Sequence, residues 1–487
     1  MSPAGHEQLV EQLQARWPEH RIGPGLDRER AILDLLGNPE RSCPVIQIAG
    51  TNGKGSTAIM VESVLRAAGL RVGRYTSPHL VDLRERICVD GEPISAQRFD
   101  EIWSQIEPMV TMVDQQHIDG IEPTFFEVMT AMAFAVFADA PVDVAVVEVG
   151  LGGRWDATNV VDAQVAVVAP VAMDHMNILG DTLTKIATEK AGIIKPGSSA
   201  VIAGQKPEAA AVLLAQCTDA GVQPILEGPD FALLERRPAV GGQVIRIQTA
   251  GGPLGELYLP LFGEHMAHNA ALAVAAVEAF MGGKPLNPQI IERGLAEVVA
   301  PARLEVVRRT PPVILDTFHN PHGAHSAMAG LTESFELNPL VAVVASMRDK
   351  DTDGVFAEMA GSVGQVVLTT MPELPRARTL EDIDAVASRY WDEDHRSQAP
   401  TVAEAIGRGI ELAELAGPGA GVLIAGSVVL AGQARAILVP DGVNRLSSGP
   451  QAVVETPELS DQEIAAMEGE RLEPVDDDPD GDDEETW

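Results

Sequence analysis

Short runs of β-branched and small apolar residues alternate along this chain with longer stretches rich in Ala and Leu. Unbroken apolar strands separated by helices are what a parallel sheet covered on both faces requires. The first half predicts strands over 45–49, 71–76, 143–149, 164–171 and 199–203, with helices over 56–68, 96–105, 127–138 and 182–191 between them. A helix over 207–220 is expected next, then a hairpin-like β region over 243–262 split by Gly251-Gly252-Pro253, then a helix over 268–280. A second α/β series follows, with strands over 313–316, 340–345, 365–369 and 422–425 and helices over 321–331, 379–389 and 402–415. The boundary between the two series falls near 299–302, just before the turn-forming Pro301 and a strand starting at Leu304. No repeat of 20–50 residues is visible.

Composition agrees with this α/β reading. The 487 residues are 45% apolar and 22% charged, an ordinary globular balance for two or three domains. Thirty-five Lys and Arg against 71 Asp and Glu give a net charge of −36, which excludes nucleic acid and anionic membranes as general partners while leaving room for a local basic pocket. The stretch 446–487 holds 15 of the acidic residues and one base, Arg471, and reads as a disordered, solubilising tail. Cys43, Cys88 and Cys217 are far apart and show no metal or disulfide spacing, as expected in a reducing compartment. The charged N-terminus lacks a signal-peptide core, and the longest apolar run, 128–138, is too short to span a bilayer. A cytoplasmic location is expected.

The sharpest local chemistry is a strand followed by Gly50-Thr51-Asn52-Gly53-Lys54-Gly55-Ser56-Thr57 and a helix. Glycines let the backbone wrap an anion, converging N–H groups and the helix N-terminus favour phosphate, and Lys54 is placed to bridge β- and γ-phosphates. Ser56 or Thr57 could reach Mg2+. The strict GxxxxGK[ST] spacing fails, because Ile48 replaces the first glycine and Gly55 intervenes before Ser56. Such a turn can also be purely structural, but the central lysine and the hydroxyl pair favour phosphate. Three more motifs follow predicted strands: Ser77-Pro78-His79, Glu148 with Gly150-Leu151-Gly152-Gly153-Arg154-Trp155-Asp156, and Asp174-His175. With all four strands parallel, these motifs share one carboxyl edge, where open α/β sheets bind ligands. Ser77, Glu148 and His175 would then supply metal donors beside ATP, whereas each alone reads as an ordinary polar residue.

Together, TNGKGS, TSPH, VEVGLGGRWDATN, DHMNILG, EKAGIIKPG, HNAALA and LDTFHNP, in this order over residues 20–440, resemble the folylpolyglutamate synthase/dihydrofolate synthase family of the Mur ligase superfamily. The resemblance implies an ATP-dependent ligase that adds L-glutamate to dihydropteroate and to reduced folates through an acyl phosphate. It implies a P-loop domain over 1–299 with the pterin site and a Rossmann-like domain over 300–445. Thr51, Asn52, Gly53, Lys54, Gly55 and Ser56 become the ATP phosphate loop, Asn269 the adenine contact, and Arg303 and Asp316 nucleotide contacts from the second domain. Ser77, Glu148 and His175 become Mg2+ ligands. Lys190 becomes a carbamylated lysine, so that Lys54, Lys190 and His175 form the catalytic set. Gly25, Thr124, Phe125, Phe126, Glu127, Trp155, Asp156, Ala157 and His319 become the acceptor-binding set. The family suggests a monomer and leaves open a requirement for a monovalent cation.

Some positions depart from the family pattern: Trp155 in place of Leu, Ala302 in place of Gly, Thr317-Phe318 in place of Gly-Ala, and no acidic residue in Gly23-Pro24-Gly25. None removes a charged participant in the expected ATP–metal chemistry. Three other readings are weaker. A peptidoglycan ligase needs room for a UDP-binding domain, but only about fifty residues precede Gly50; a guanine switch needs an NKxD motif; a dehydrogenase needs a GxGxxG after the first strand of the second series.

Overall fold

The computed structural model describes residues 3–16, 23 and 25–439, so the acidic stretch 446–487 lies outside the described residues. Eight strands make the first sheet: β1 (Val45–Ala49), β2 (Val72–Tyr75), β3 (Ile87–Val89), β4 (Glu92–Pro93), β5 (Val144–Glu148), β6 (Val165–Val168), β7 (Ser199–Ile202) and β8 (Pro224–Leu226). Their order is β4-β3-β2-β5-β1-β6-β7-β8. From β2 to β8 in that order all neighbours pair in parallel, and only the β2–β3 and β3–β4 pairings are antiparallel.

The apolar runs have the predicted cause. Every residue of β1, β5 and β6 is buried. Ile46, Ile48, Val144, Val146, Val165 and Val167 share one core with helices Lys54–Ala67 and Glu264–Phe280. Val45, Ala145 and Val147 face the opposite core with helices Ala96–Asp114 and Phe125–Asp139. Period-two alternation thus buries both faces.

A small antiparallel sheet follows, built from β9 (Ala232–Ala239), β10 (Gly242–Thr249), β11 (Gly252–Pro253) and β12 (Leu257–Leu259). The last sheet contains β13 (Arg303–Arg309), β14 (Pro312–Asp316), β15 (Leu340–Val344), β16 (Val363–Leu368), β17 (Arg396–Gln398) and β18 (Gly421–Ala425), ordered β13-β14-β18-β15-β16-β17 with β13 antiparallel at the edge.

Differences from expectation are local. The strand predicted over 164–171 ends at Val168, ahead of Pro170, which has no N–H to give a ladder. The helix expected from 268 starts at Glu264, after Gly263 at φ +89°. The β region begins earlier, at Ala232. Short strands β3, β4, β8 and β17 and helices Pro3–Gln14, Asp27–Leu35, Pro288–Ala296, Thr352–Met359 and Val428–Leu438 were not foreseen. The last of these helices bears directly on the first sheet's loops: a Cβ added to Gly432 would sit 1.9 Å from the carbonyl oxygen of Leu80.

Candidate active site

The four motifs do meet at one edge. β1, β2, β5 and β6 are mutually parallel, so the loops after Ala49, Tyr75, Glu148 and Val168 leave the sheet on the same side. The Thr51 N–H donates to the Pro170 carbonyl (2.9 Å) and its hydroxyl donates to the Ala172 carbonyl (3.0 Å), which ties the glycine-rich loop to the loop after β6. Gly53 takes φ +84° to start helix Lys54–Ala67, and a Cβ there would lie 2.7 Å from Asn269 Oδ1. Only glycine gives both the left-handed turn and this approach. Asn269, buried in helix Glu264–Phe280, is thereby held against the loop.

Lys54 donates to the Thr51 carbonyl (3.4 Å) and stands 3.9 Å from Glu148. Glu148 is buried at the end of β5 and accepts the Ser77 N–H (3.1 Å). Burial pushes its carboxyl above the usual range, and Lys54 pulls it back. An open cavity of about 160 Å3 brings Ser56, Ser77 and Glu148 together with Arg303 and Thr317 from the side of the last sheet. This is a hydroxyl, a carboxylate and backbone beside a phosphate loop. The described residues contain no cluster of three acidic, His or Cys ligands able to hold a metal by themselves. That combination fits Mg2+, which takes one or two protein donors and completes its shell with phosphate and water.

Lys190 is buried at the end of helix Leu183–Ala191 and donates to the Gly50 carbonyl (2.8 Å). Its helix comes near because Gly153 has no side chain: a Cβ there would lie 2.6 Å from the Glu189 carbonyl oxygen. Burial, and then the charge of Lys54, pull the Lys190 pKa down to about 7. Such an amine is substantially neutral at physiological pH.

His175 does not line the cavity that holds Ser77 and Glu148. It sits at φ +49° beside Asp174, which is the hub of a separate network. Asp174 accepts from Lys350 Nζ (2.9 Å) and Asn320 Nδ2 (3.1 Å), and His319 Nε2 stands 3.7 Å away. Burial alone would raise the Asp174 carboxyl, but His319, Lys350 and His175 hold it well below the usual range. Asn320 Nδ2 also donates to Asn52 Oδ1 (3.2 Å), and Asn52 bonds His322 (2.9 Å). Residues of the second series therefore reach the phosphate loop. The resemblance implies Asn320, with His319 and Pro321, near the closing interface, and Asp174 stands out only as the neighbour of His175; His322 and Lys350 have no expected role, and the signal available for Lys350 was a charged run, Arg348-Asp349-Lys350-Asp351, just after an apolar strand.

Arg303 opens β13 between two non-glycine residues in left-handed conformation, Ala302 (φ +51°) and Leu304 (φ +47°). Two carboxylates hold this strained segment: Glu305 accepts the Ala302 N–H (2.8 Å) and Asp316 accepts the Leu304 N–H (3.0 Å). Asp316 also accepts from Phe318 N (2.8 Å) and is buried, so in this structure it shapes the Arg303 turn.

The residues expected to bind the acceptor divide. Thr124 and Glu127 cap helix Phe125–Asp139 reciprocally, and Glu127 also pairs with the fully buried Arg28 (2.9 Å). Phe125 is buried beneath Arg86, and Phe126 lies under Gly150, where a Cβ would meet its ring at 2.5 Å. Asp156 is buried and accepts from Leu151 N (2.8 Å) and Thr158 N (3.0 Å); burial raises its carboxyl. Ala157 is buried beside it in the turn Ala157–Val160, Trp155 is exposed, and Gly25 lies close to Asp119. Arg28, the last residue of the stretch 23–28 that the resemblance implies on the pterin side, reaches Asp119 (2.9 Å) and the Gly23 carbonyl (2.5 Å) and so anchors this loop, a role the sequence does not signal.

Comparison with known proteins decides the family. The Mur ligase middle domain matches residues 99–277, and the Mur ligase glutamate ligase domain matches 302–428. The Mycobacterium tuberculosis dihydrofolate synthase/folylpolyglutamate synthase is 44% identical over 458 residues, 89% of this chain and 94% of that one. The chain belongs to this family. The Bacillus subtilis dihydrofolate synthase/folylpolyglutamate synthase is 34% identical over 77% of this chain and 87% of that protein. A crystal structure of Mycobacterium tuberculosis folylpolyglutamate synthase complexed with ADP and AMPPCP superposes with a TM-score of 0.85 at 44% identity, covering 90% of this chain and 98% of that one. The chain is thus an ATP-dependent ligase of the family that joins glutamate to folates. Among the described residues no helix is long and apolar enough to cross a membrane.

Proposed function

We propose that this enzyme activates a pteroate or folate carboxylate with ATP and joins it to L-glutamate, acting as both dihydrofolate synthase and folylpolyglutamate synthase. The double name carried by its relatives supports the pairing. The observation that carries the reading is the cavity in which the phosphate loop's Ser56, Ser77 and Glu148 meet Arg303.

A carboxylate resists attack by an amine because of its charge and resonance. Transfer of the γ-phosphoryl group to its oxygen makes an acyl phosphate; the neutral amine of glutamate then adds, and phosphate leaves. The loop N–H groups, Lys54 and Arg303 bind the phosphates and offset the repulsion between the two anions. Ser77 and Glu148 would hold Mg2+ at the cavity, with His175 joining them once freed from its network with Asp174 and Lys350, and the ion would supply neutralisation of charge on the transferring group. Asn269 orients the adenine beside Gly53. Lys190 is read as a carbamate: its nitrogen keeps one N–H for the Gly50 carbonyl, and Lys54 favours the new negative charge. Thr124, Phe126, Asp156 and Ala157 frame the acceptor pocket, with Trp155 at its rim and Gly25 on the loop anchored by Arg28. Phe125 and Glu127 support that frame from below, and His319 closes it from the second series. Arrival of that series excludes water that would hydrolyse the acyl phosphate. The reading places a domain boundary near residue 300, a monomer and a cytoplasmic setting, with a monovalent cation as an open requirement.

The test is isotopic. With 18O in the acceptor carboxylate, one label per turnover is expected in the released phosphate. Unlabelled phosphate alongside product formation would overturn the acyl-phosphate route.

A further inference from the structure

Lys350 stands apart from its neighbours. Asp349 is paired with Arg376 (2.8 Å), and Asp351 caps helix Thr352–Met359 through Gly354 N (3.0 Å). The Lys350 backbone is fixed by bonds from its N–H to Met347 O (3.2 Å) and from Thr352 N to its carbonyl (3.0 Å). Its side chain has no bond on its own sheet. It crosses to the loop after β6, a separation of 176 residues to Asp174, where Nζ meets Asp174 Oδ1 (2.9 Å) and His175 Nε2 (3.3 Å) and is only one-tenth exposed.

The chemistry of the second contact is decisive. An ammonium donates and never accepts, so Nε2 must be the unprotonated nitrogen of a neutral imidazole. A neutral imidazole has one in-plane lone pair at Nε2, the same pair that it would give to a metal. Hydrogen bonding to Lys350 and coordination through Nε2 therefore exclude each other. Two cations at so short a range would also repel each other.

We propose that Lys350 is an internal counter-cation that occupies the Asp174–His175 face and must withdraw before a divalent ion coordinates His175, so that metal entry and release of this inter-sheet contact are one event. The proposal rests on the reading of His175 as a metal ligand. Lys350 acts through His175 and Asp174 and is a positioning residue. Withdrawal leaves Asp174 bonded to Asn320 and so does not dismantle the rest of the network.

The experiment titrates Mn2+ into the full-length protein saturated with a non-hydrolysable ATP analogue and reads free Mn2+ by electron paramagnetic resonance. Lys350→Met keeps the stem and removes the charge; Lys350→Gln replaces it if the first variant fails to fold. Mn2+ affinity is expected to rise at least about fivefold in the variant, the size of a contact worth ~1 kcal/mol that no longer has to be broken. The gain should disappear when His175→Gln is added. Unchanged Mn2+ affinity in the Lys350 variants, with His175→Gln still weakening binding, overturns the proposal and leaves the metal reading intact. No effect of His175→Gln in either background overturns the metal reading, and the proposal with it.

Discussion

Lys190 carries the most exposed consequence at the scale of one residue. Carbon dioxide adds only to a neutral amine, and the Lys190 pKa lies at about 7, so the carbamylated fraction should climb as pH passes upward through that value. With 13C-labelled CO2, a carbamate resonance is expected to grow from pH 6 to pH 8 and to be absent in Lys190→Met. The same shift has a stability sign. The folded pKa lies below the unfolded value of 10.5, so the unfolded chain binds more protons between the two, and the Lys190 contribution to stability becomes less unfavourable as pH rises across that window. Ala302 shows a residue-scale fact that the chain announces without explaining. The family's glycine there reads from sequence as a mere departure; the φ of +51° shows that the site demands the backbone freedom glycine gives, and that Glu305 and the edge of β13 hold alanine in its place.

At the scale of elements, the glycine-rich turn and the parallel strands were legible because their signals are local: residue type and spacing fix a strand, a left-handed glycine and a helix within a dozen positions. Short strands such as β3 and β17 were not, since three residues carry too little pattern to stand out. Thr124 and Glu127 enter the expected acceptor-binding set only through the resemblance; the structure gives them a capping box, and Glu127 an ion pair with Arg28. The phosphate turn yields a sharp prediction. Gly53→Ala puts a methyl group 2.7 Å from Asn269 Oδ1 and a left-handed φ on a non-glycine residue. A stability loss of about 1–2 kcal/mol is expected, with a rise of at least tenfold in the KM for ATP. Thermal melts and initial rates check the two together; an unaffected KM would separate Asn269 from the nucleotide site.

At the scale of the molecule, what escaped the sequence is the meeting of its two series. The Asp174 network joins residues 146 to 176 positions apart, a relation that no window of sequence contains. The same holds for Gly432, in a helix the sequence does not signal, which proves in the structure to be the point where helix Val428–Leu438 touches Leu80. Gly432→Ala should cost about 1–3 kcal/mol through overpacking and lower kcat/KM for glutamate addition well beyond that loss in folded protein. Nucleotide affinity should hold, because Lys54 and Gly53 are untouched. Equilibrium nucleotide binding and steady-state rates on the same preparation test this, and equal losses in both would refute it.

A single hydrogen atom at position 432 is therefore the shim that sets how close the two halves stand. A compound wedged there, beside the Leu80 and Val428 that line the same cavity as Ser56, Ser77 and Glu148, would hold them ajar.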